Sequence, residues 1–386
     1  MARVVLQKKL DRVIAEGHPW IFRDALSGEL PEPGKIVTVV DSRSRFVARG
    51  LAEAGPIGVR VLCTRDEPVS AGLFARRIAA ASALRERVLP PETTAYRLLH
   101  GEGDRLPGVV CDVYAGWAVL QLDGQAAARW RDVIVETLAP VLRARGAEHL
   151  IDRSGRRGER RVEVLCGELP PEPVPVLECG LRMRADLRQG QKTGLFLDHR
   201  DSRRKVRALA RGARVLDLYG YTGGFSISAG LGGAVEVVTV DRSKWACALA
   251  EQGWAENGLG PGVHRCEAVD VRDFLDADPK GEYDLLVVDP PSFAPSEKKV
   301  KAALDAYRAL HRAALSRLRP GGLYLAASCS SHVRRKAFER TVLQAAGQDG
   351  RALQVLDRWG APADHPRLAA FPEGDYLTVL LARLID

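Results

Sequence analysis

No apolar run in this chain approaches the roughly 20 residues that a membrane-spanning helix needs. The stretch from Met1 to Trp20 has no apolar core followed by a small-residue cleavage site, so it does not read as an export signal. The expectation is a cytoplasmic protein. No pair of cysteines is spaced as C-x-x-C. Cys63, Cys111, Cys166, Cys179, Cys247, Cys266 and Cys329 are scattered and odd in number, which argues against a zinc site or a disulfide framework. No metal is expected, and reduced thiols are. There is no low-complexity tract and no internal repeat.

What is present fits a folded chain of two or three domains: 386 residues, 46% hydrophobic and 27% charged. The net charge is +8, and arginine far outnumbers lysine. Guanidinium groups match phosphate geometry, but net charge alone is weak evidence for nucleic-acid binding.

Residues 1–70 read as a small β-rich barrel. Its clearest hairpin joins 36–40 to 45–51 through Asp41-Ser42-Arg43-Ser44. A helix from Ala71 to Leu89 stops at Pro90-Pro91. Within 71–172, a hairpin turning at Ala115-Gly116 precedes an amphipathic helix carrying Trp130, Ile134, Leu138 and Leu142 at helical spacing. Prolines near 170 mark a linker. A further hairpin at about 176–187 leads into the last domain, 173–386, where strands and helices alternate. Strands at 215–219, 235–241, 263–269, 284–289 and 323–328, with a closing pair at 354–357 and 376–381, predict an α/β fold with a parallel, doubly wound sheet.

The first of those strands runs into a glycine-bearing turn, Tyr219-Gly220-Tyr221-Thr222-Gly223-Gly224-Phe225. A nucleotide-like ligand sits at the carboxyl end of such a strand, and glycine lets the backbone approach it. The spacing is not G-x-G-x-x-G, and Asp217 stands inside the strand. A carboxylate suits an amine-bearing cation better than a pyrophosphate. S-adenosylmethionine carries an amine and a sulfonium. Asp241 ends the second strand, 24 positions after Asp217, and fits ribose hydroxyls. Asp270, read as ending the third, could accept from an adenine amino group. Each aspartate alone is better read as a helix cap or turn residue. Three in succession after a glycine turn favour a nucleoside-bearing cofactor.

The fourth strand ends in Asp289-Pro290-Pro291-Ser292-Phe293 and the fifth in Ser328-Cys329-Ser330. Adjacent strand ends would set Asp289 and Cys329 across one cleft. Carbon 5 of cytosine is a poor nucleophile, but thiolate addition to carbon 6 makes it enamine-like. A carboxyl group at N3 stabilises that adduct. Cys329 otherwise reads as a small buried hydrophobe. The strand end, the flanking serines and the nearby His332, Arg334, Arg335 and Lys336 count against that.

Four motifs, at 190–200, Tyr221–Phe225, Asp289–Phe293 and Ser328–Ser330, together resemble the RlmI/RlmO-type family of bacterial ribosomal RNA cytosine-C5 methyltransferases. Gly17–Phe22 is similar to the start of that family's PUA domain, and Glu102–Gly108 to a motif of its central domain. The resemblance covers essentially the whole chain. It implies a Rossmann-like class I methyltransferase domain behind a PUA β-barrel and a small α+β domain. It further implies large-subunit (23S) ribosomal RNA or an assembly particle as partner, and a homodimer. Cys329 would be the nucleophile and Asp289 the base-binding acid. Asp217, Tyr219, Gly220, Thr222, Gly223, Gly224, Phe225, Asp241, Asp270 and Pro290 would line the S-adenosylmethionine site, with Gln191, Lys192, Thr193 and Phe196 from a preceding loop. Pro291, Phe293 and His332 would meet RNA.

Two arginine-rich runs are candidate phosphate contacts or solvated faces: Arg153, Arg156, Arg157, Arg160 and Arg161, then Arg203, Arg204, Lys205 and Arg207. Other cytosine-C5 RNA methyltransferases carry a second cysteine where this chain has Ser292. Two rival readings are a base amino-methyltransferase of the D-P-P-aromatic type and a non-catalytic RNA-binding assembly factor. Ser292, interposed before Phe293, disfavours the first. The intact acidic residues and Cys329 disfavour the second.

Overall fold

A computed structural model describes residues 2–155, 162–171, 173–277 and 283–385. The chain divides into two compact units. Among the described residues, no helix is long and apolar enough to cross a membrane.

Unit 1 holds residues 1–177, 185–197 and 363–374. Its first sheet has six strands, ordered Trp20–Phe22, Ile57–Cys63, Phe46–Ala52, Ile36–Val40, Ala2–Leu6 and Leu26–Ser27. Apolar residues of alternate positions, among them Val4, Ile21, Val37, Val39, Ala48 and Val59, fill its interior. The tight connection at 41–45 is held by Asp41, whose Oδ1 accepts the amides of Arg43 and Arg45, both at 2.9 Å. A second sheet of five strands follows the helix Ala71–Val88. The predicted hairpin at Ala115-Gly116 joins Val109–Tyr114 to Trp117–Leu122, and the amphipathic helix spans Arg131–Ala144. Leu138 and Ile134 bury against the sheet. Two strands of this second sheet were not anticipated, Ala95–His100 and Glu163–Cys166.

Segments 185–197 and 363–374 read from sequence as part of the last domain, yet they cluster in unit 1. Thr193 shows the reason. Its hydroxyl donates to Asp112 Oδ2 at 2.6 Å and lies 2.7 Å from the Tyr114 hydroxyl.

Unit 2 holds residues 178–184, 198–362 and 375–386. Its sheet comprises β1 (Arg214–Leu218), β2 (Glu236–Val240), β3 (His264–Glu267), β4 (Tyr283–Val288), β5 (Leu318–Ser328), β6 (Leu353–Trp359) and β7 (Thr378–Leu384). The order is β3-β2-β1-β4-β5-β7-β6, with β7 antiparallel to both neighbours. Helices α1 (Arg200–Leu209), α2 (Gly224–Leu231), α3 (Lys244–Glu256), α4 (Val271–Ala277), α5 (Val300–Leu315) and α6 (Arg335–Gln348) supply the rest. The central strands read as continuous apolar runs because both faces are covered. Val237, Val238, Leu286, Val287 and Leu325 are all buried.

Candidate active site

Leu218 aligns with Val240 on one side and Val288 on the other, and Val288 aligns with Ala326. The chain therefore leaves β1, β2 and β4 along one edge of the sheet, with Ser328 ending β5 two residues past the same row. The strand order reverses at β1 and β4, which is where a doubly wound sheet opens a binding crevice.

The turn after β1 departs sharply from ordinary backbone. Tyr219 and Tyr221 have φ of +64° and +49°, and Gly223 +76°. Left-handed geometry is costly for an aromatic residue and concentrates at functional sites. Hydrogen bonds hold it here. Gly220 N donates to Val240 O at 3.1 Å, and Tyr221 N to Asp241 Oδ2 at 3.0 Å. A Cβ on Gly220 would stand 2.5 Å from Thr239 Cγ2, so the position admits no side chain. Thr222 is half-buried, and α2 begins at Gly224. Phe225 packs edge-on to His199, with centroids 5.4 Å apart.

Asp217 is fully buried within β1. Its Oδ2 accepts from Ser226 N at 3.2 Å and Ser226 Oγ at 2.7 Å. That hydroxyl lies 2.6 Å from Thr239 Oγ1, itself 2.8 Å from His264 Nε2. The other oxygen, Oδ1, has no hydrogen-bond partner among the described residues. Burial pushes the carboxyl up to about 7, against the pull of the Ser226 hydrogen bonds and helped by the charges of Asp289 and Asp241. An unpartnered buried carboxylate oxygen is expensive. A cationic amine would satisfy it, so the residues present fit S-adenosylmethionine.

Asp241 uses each oxygen once, accepting Tyr221 N and Ser243 N at 3.0 and 2.9 Å, and keeps lone pairs to spare. Asp270 requires a correction. β3 stops at Glu267, so Asp270 does not end a strand. It is exposed just before α4, where its Oδ1 accepts Arg272 N at 2.9 Å in the manner of a helix cap.

Asp289 follows β4 directly. Its Oδ2 lies 3.2 Å from Nε2 of His199, a residue only 2% exposed that precedes α1. The sequence reading missed His199, although it stands within the motif at 190–200. Pro290 is buried, while Pro291 and Ser292 are exposed. Phe293 is half-buried, its ring 4.7 Å from that of Tyr307. Cys329 is the first residue past β5 and is partly exposed, whereas Ser328 and Ser330 are each 2% exposed. His332 is exposed.

Four loop residues lie in unit 1: Gln191, Lys192, Thr193 and Phe196. The Lys192 ammonium rests 4.6 Å from the Phe196 ring centroid. Of the first arginine run, Arg156, Arg157, Arg160 and Arg161 fall outside the described residues. Arg153 is 3% exposed and donates to Gly190 O at 2.9 Å, so its guanidinium is not offered to a phosphate. Arg203 is likewise committed. It forks onto Glu178 at 2.6 and 2.7 Å, both side chains buried.

Residues 102–380 match the model of the S-adenosylmethionine-dependent methyltransferase family, and residues 4–64 that of a PUA-like domain. A ribosomal RNA large subunit methyltransferase of Deinococcus radiodurans is 37% identical over 99% of this chain and 97% of that one. Ribosomal RNA large subunit methyltransferase I of Shewanella denitrificans is 35% identical over 99% of each. A solved Streptococcus mutans chain described as a SAM-dependent methyltransferase superposes with a TM-score of 0.88 at 23% identity, over 99% of this chain and 100% of that one, which speaks to fold alone. Sheet order, glycine turn and sequence likeness agree along nearly the full length: the chain belongs to the S-adenosylmethionine-dependent methyltransferase family and carries a PUA-like domain at its N-terminal end.

Proposed function

We propose that this enzyme methylates carbon 5 of a cytosine in large-subunit ribosomal RNA, with Cys329 as nucleophile and Asp289 as the group that binds the base. The relatives' names supply the RNA class. One observation carries the chemistry. Asp289 and Cys329 follow neighbouring parallel strands, and Asp289 also adjoins the β1 end that carries Asp217. The same reading has the PUA-like domain contacting RNA and the protein working as a cytoplasmic homodimer.

In this reading Asp217 holds the cofactor amine, Asp241 the ribose and Asp270 the adenine edge, with the backbone of 219–225 in close approach. S-adenosylmethionine, when bound, supplies an electrophilic methyl group. The target cytosine leaves its stack, since its carbon 6 is shielded there. The Cys329 thiolate forms a bond to carbon 6, and the electrons of the 5,6 double bond pass toward carbon 5. Asp289 enters protonated and passes that proton to N3 as charge arrives there, and the resulting carboxylate is held by His199 and by the exocyclic amine. Once carbon 5 carries the methyl group, its proton passes to solvent water, N3 returns its proton to Asp289, the double bond reforms and the thiolate is expelled. Ser292, in the loop after Asp289, is not a thiol, so elimination does not use a second cysteine at that place.

Cys329→Ala should abolish methyl transfer and leave cofactor affinity intact, because the thiol acts on the base. RNA bearing 5-fluorocytosine should trap wild-type enzyme as an adduct stable to denaturation, mapping to the Cys329 peptide. Retained activity in Cys329→Ala, or a product methylated on the exocyclic nitrogen, would replace this reading with the amino-methyltransferase one.

A further inference from the structure

Tyr307, on α5, is fully buried in the apolar core of unit 2, among Phe338, Ala303 and Leu310. Its ring lies 5.2 Å from Phe338, edge-on, and 4.7 Å from Phe293. Phenylalanine would fill that space. Burying a hydroxyl is unfavourable unless it is hydrogen-bonded, so the partners of this one are informative. The phenol oxygen lies 3.0 Å from Ser328 Oγ and 3.0 Å from Ser330 Oγ. Those serines are the residues immediately before and after Cys329. Ser328 Oγ also accepts Ser330 N at 3.3 Å, and Ser330 Oγ lies 2.9 Å from Ser292 Oγ in the loop that follows Asp289. Four hydroxyls thus join the two loops that bear the reacting groups. Burial raises the Tyr307 pKa, so the phenol keeps its proton and remains a donor at neutral pH.

We infer that Tyr307 is a positioning residue for the nucleophile: its hydroxyl clamps the Ser-Cys-Ser turn and, through Ser330 and Ser292, sets Cys329 against the Asp289 loop. This rests on the reading of Cys329 as nucleophile given above. A phenol can donate one hydrogen bond while accepting another, so one atom fixes both flanks of the cysteine. The nucleophile then has little freedom to wander, and small misplacement of a reacting group is costly in rate.

The test compares Tyr307→Phe, Ser328→Ala/Ser330→Ala and the combined triple variant with wild type. Three quantities are read: single-turnover methyl transfer, S-adenosylmethionine affinity by calorimetry, and the pH dependence of Cys329 alkylation by iodoacetamide without RNA, followed on its peptide by mass spectrometry. Tyr307→Phe should slow methyl transfer by about tenfold or more, shift the alkylation profile, and leave cofactor affinity within about twofold. Because the phenol acts through the serines, Tyr307→Phe should add nothing further in the Ser328→Ala/Ser330→Ala background. An unchanged alkylation profile, fully additive losses, or cofactor affinity falling in step with the rate would each overturn the inference, the last by showing a general packing role. The serine variants leave the Tyr307 ring in the core, so they test the same clamp should Tyr307→Phe fold poorly. A wild-type product methylated away from carbon 5 would sink the cytosine-C5 reading alone, while the alkylation profile would still report whether Tyr307 sets the thiol.

Discussion

Nε2 of His199 and Oδ2 of Asp289 stand 3.2 Å apart, with the imidazole 2% exposed and the carboxylate side chain 17% exposed. The other ring nitrogen lies 3.3 Å from Ser202 Oγ, which fixes the ring plane. In the proposed reaction Asp289 must present one oxygen to the base, and His199 holds the other.

His199→Ala should therefore lower single-turnover methyl transfer by roughly 10- to 150-fold, the equivalent of a charge-assisted hydrogen bond of about 1.5–3 kcal/mol. His199→Gln keeps a donor and should recover most of the rate. Cofactor affinity should barely change in either. Full activity in His199→Ala would mean that Asp289 needs no brace.

Asp217 predicts a pH dependence with a definite sign. Its carboxyl is raised from 3.8 to about 7 by burial. Between those values the folded chain keeps a proton that the unfolded chain has lost. Cofactor-free stability should therefore fall as pH rises through that window, the loss being complete above about pH 7. A cationic amine at Oδ1 favours the carboxylate, so binding should release a proton and tighten as pH rises toward 7. Calorimetry near pH 6 in buffers of different ionisation enthalpy reads that proton directly. Asp217→Asn should lose both the release and the stability slope. Equal proton release in Asp217→Asn would place the amine elsewhere.

Arg203 and Arg204, neighbours in one basic run, should behave oppositely. Arg203→Ala takes two hydrogen bonds from buried Glu178, leaving Arg200 Nε 3.8 Å from it, and should destabilise the protein by about 3 kcal/mol in urea unfolding. Arg204 is 58% exposed beside Asp201. Arg204→Ala should cost under about 0.5 kcal/mol while reducing the salt slope of RNA binding by about 1. An unaltered slope would make Arg204 part of a solvated face.

The placement of several candidate site residues was legible because strand ends leave a local mark. Asp217, Asp241 and Asp289 each close or adjoin an apolar run, and the glycine turn interrupts the first. Asp270 misled because Val269 prolongs the apolar pattern beyond β3, while hydrogen bonding to β2 ends at Glu267, paired with Val240. The strand Glu163–Cys166 escaped notice because its first two residues are exposed and give no alternation.

The sequence by itself determined the alternation of strands and helices, and hence a parallel sheet with Asp217, Asp241, Asp289 and Cys329 near its carboxyl edge, because periodic burial is written residue by residue. Only the tertiary structure decided how those groups are held. His199 reaches Asp289, Tyr307 reaches both flanks of Cys329 from 21 and 23 residues away, and Glu178 takes Arg203 out of the basic run from 25. Such partners meet only after the sheet has brought separate helices and loops together, and no periodicity along the chain records a hydrogen bond between side chains on different elements.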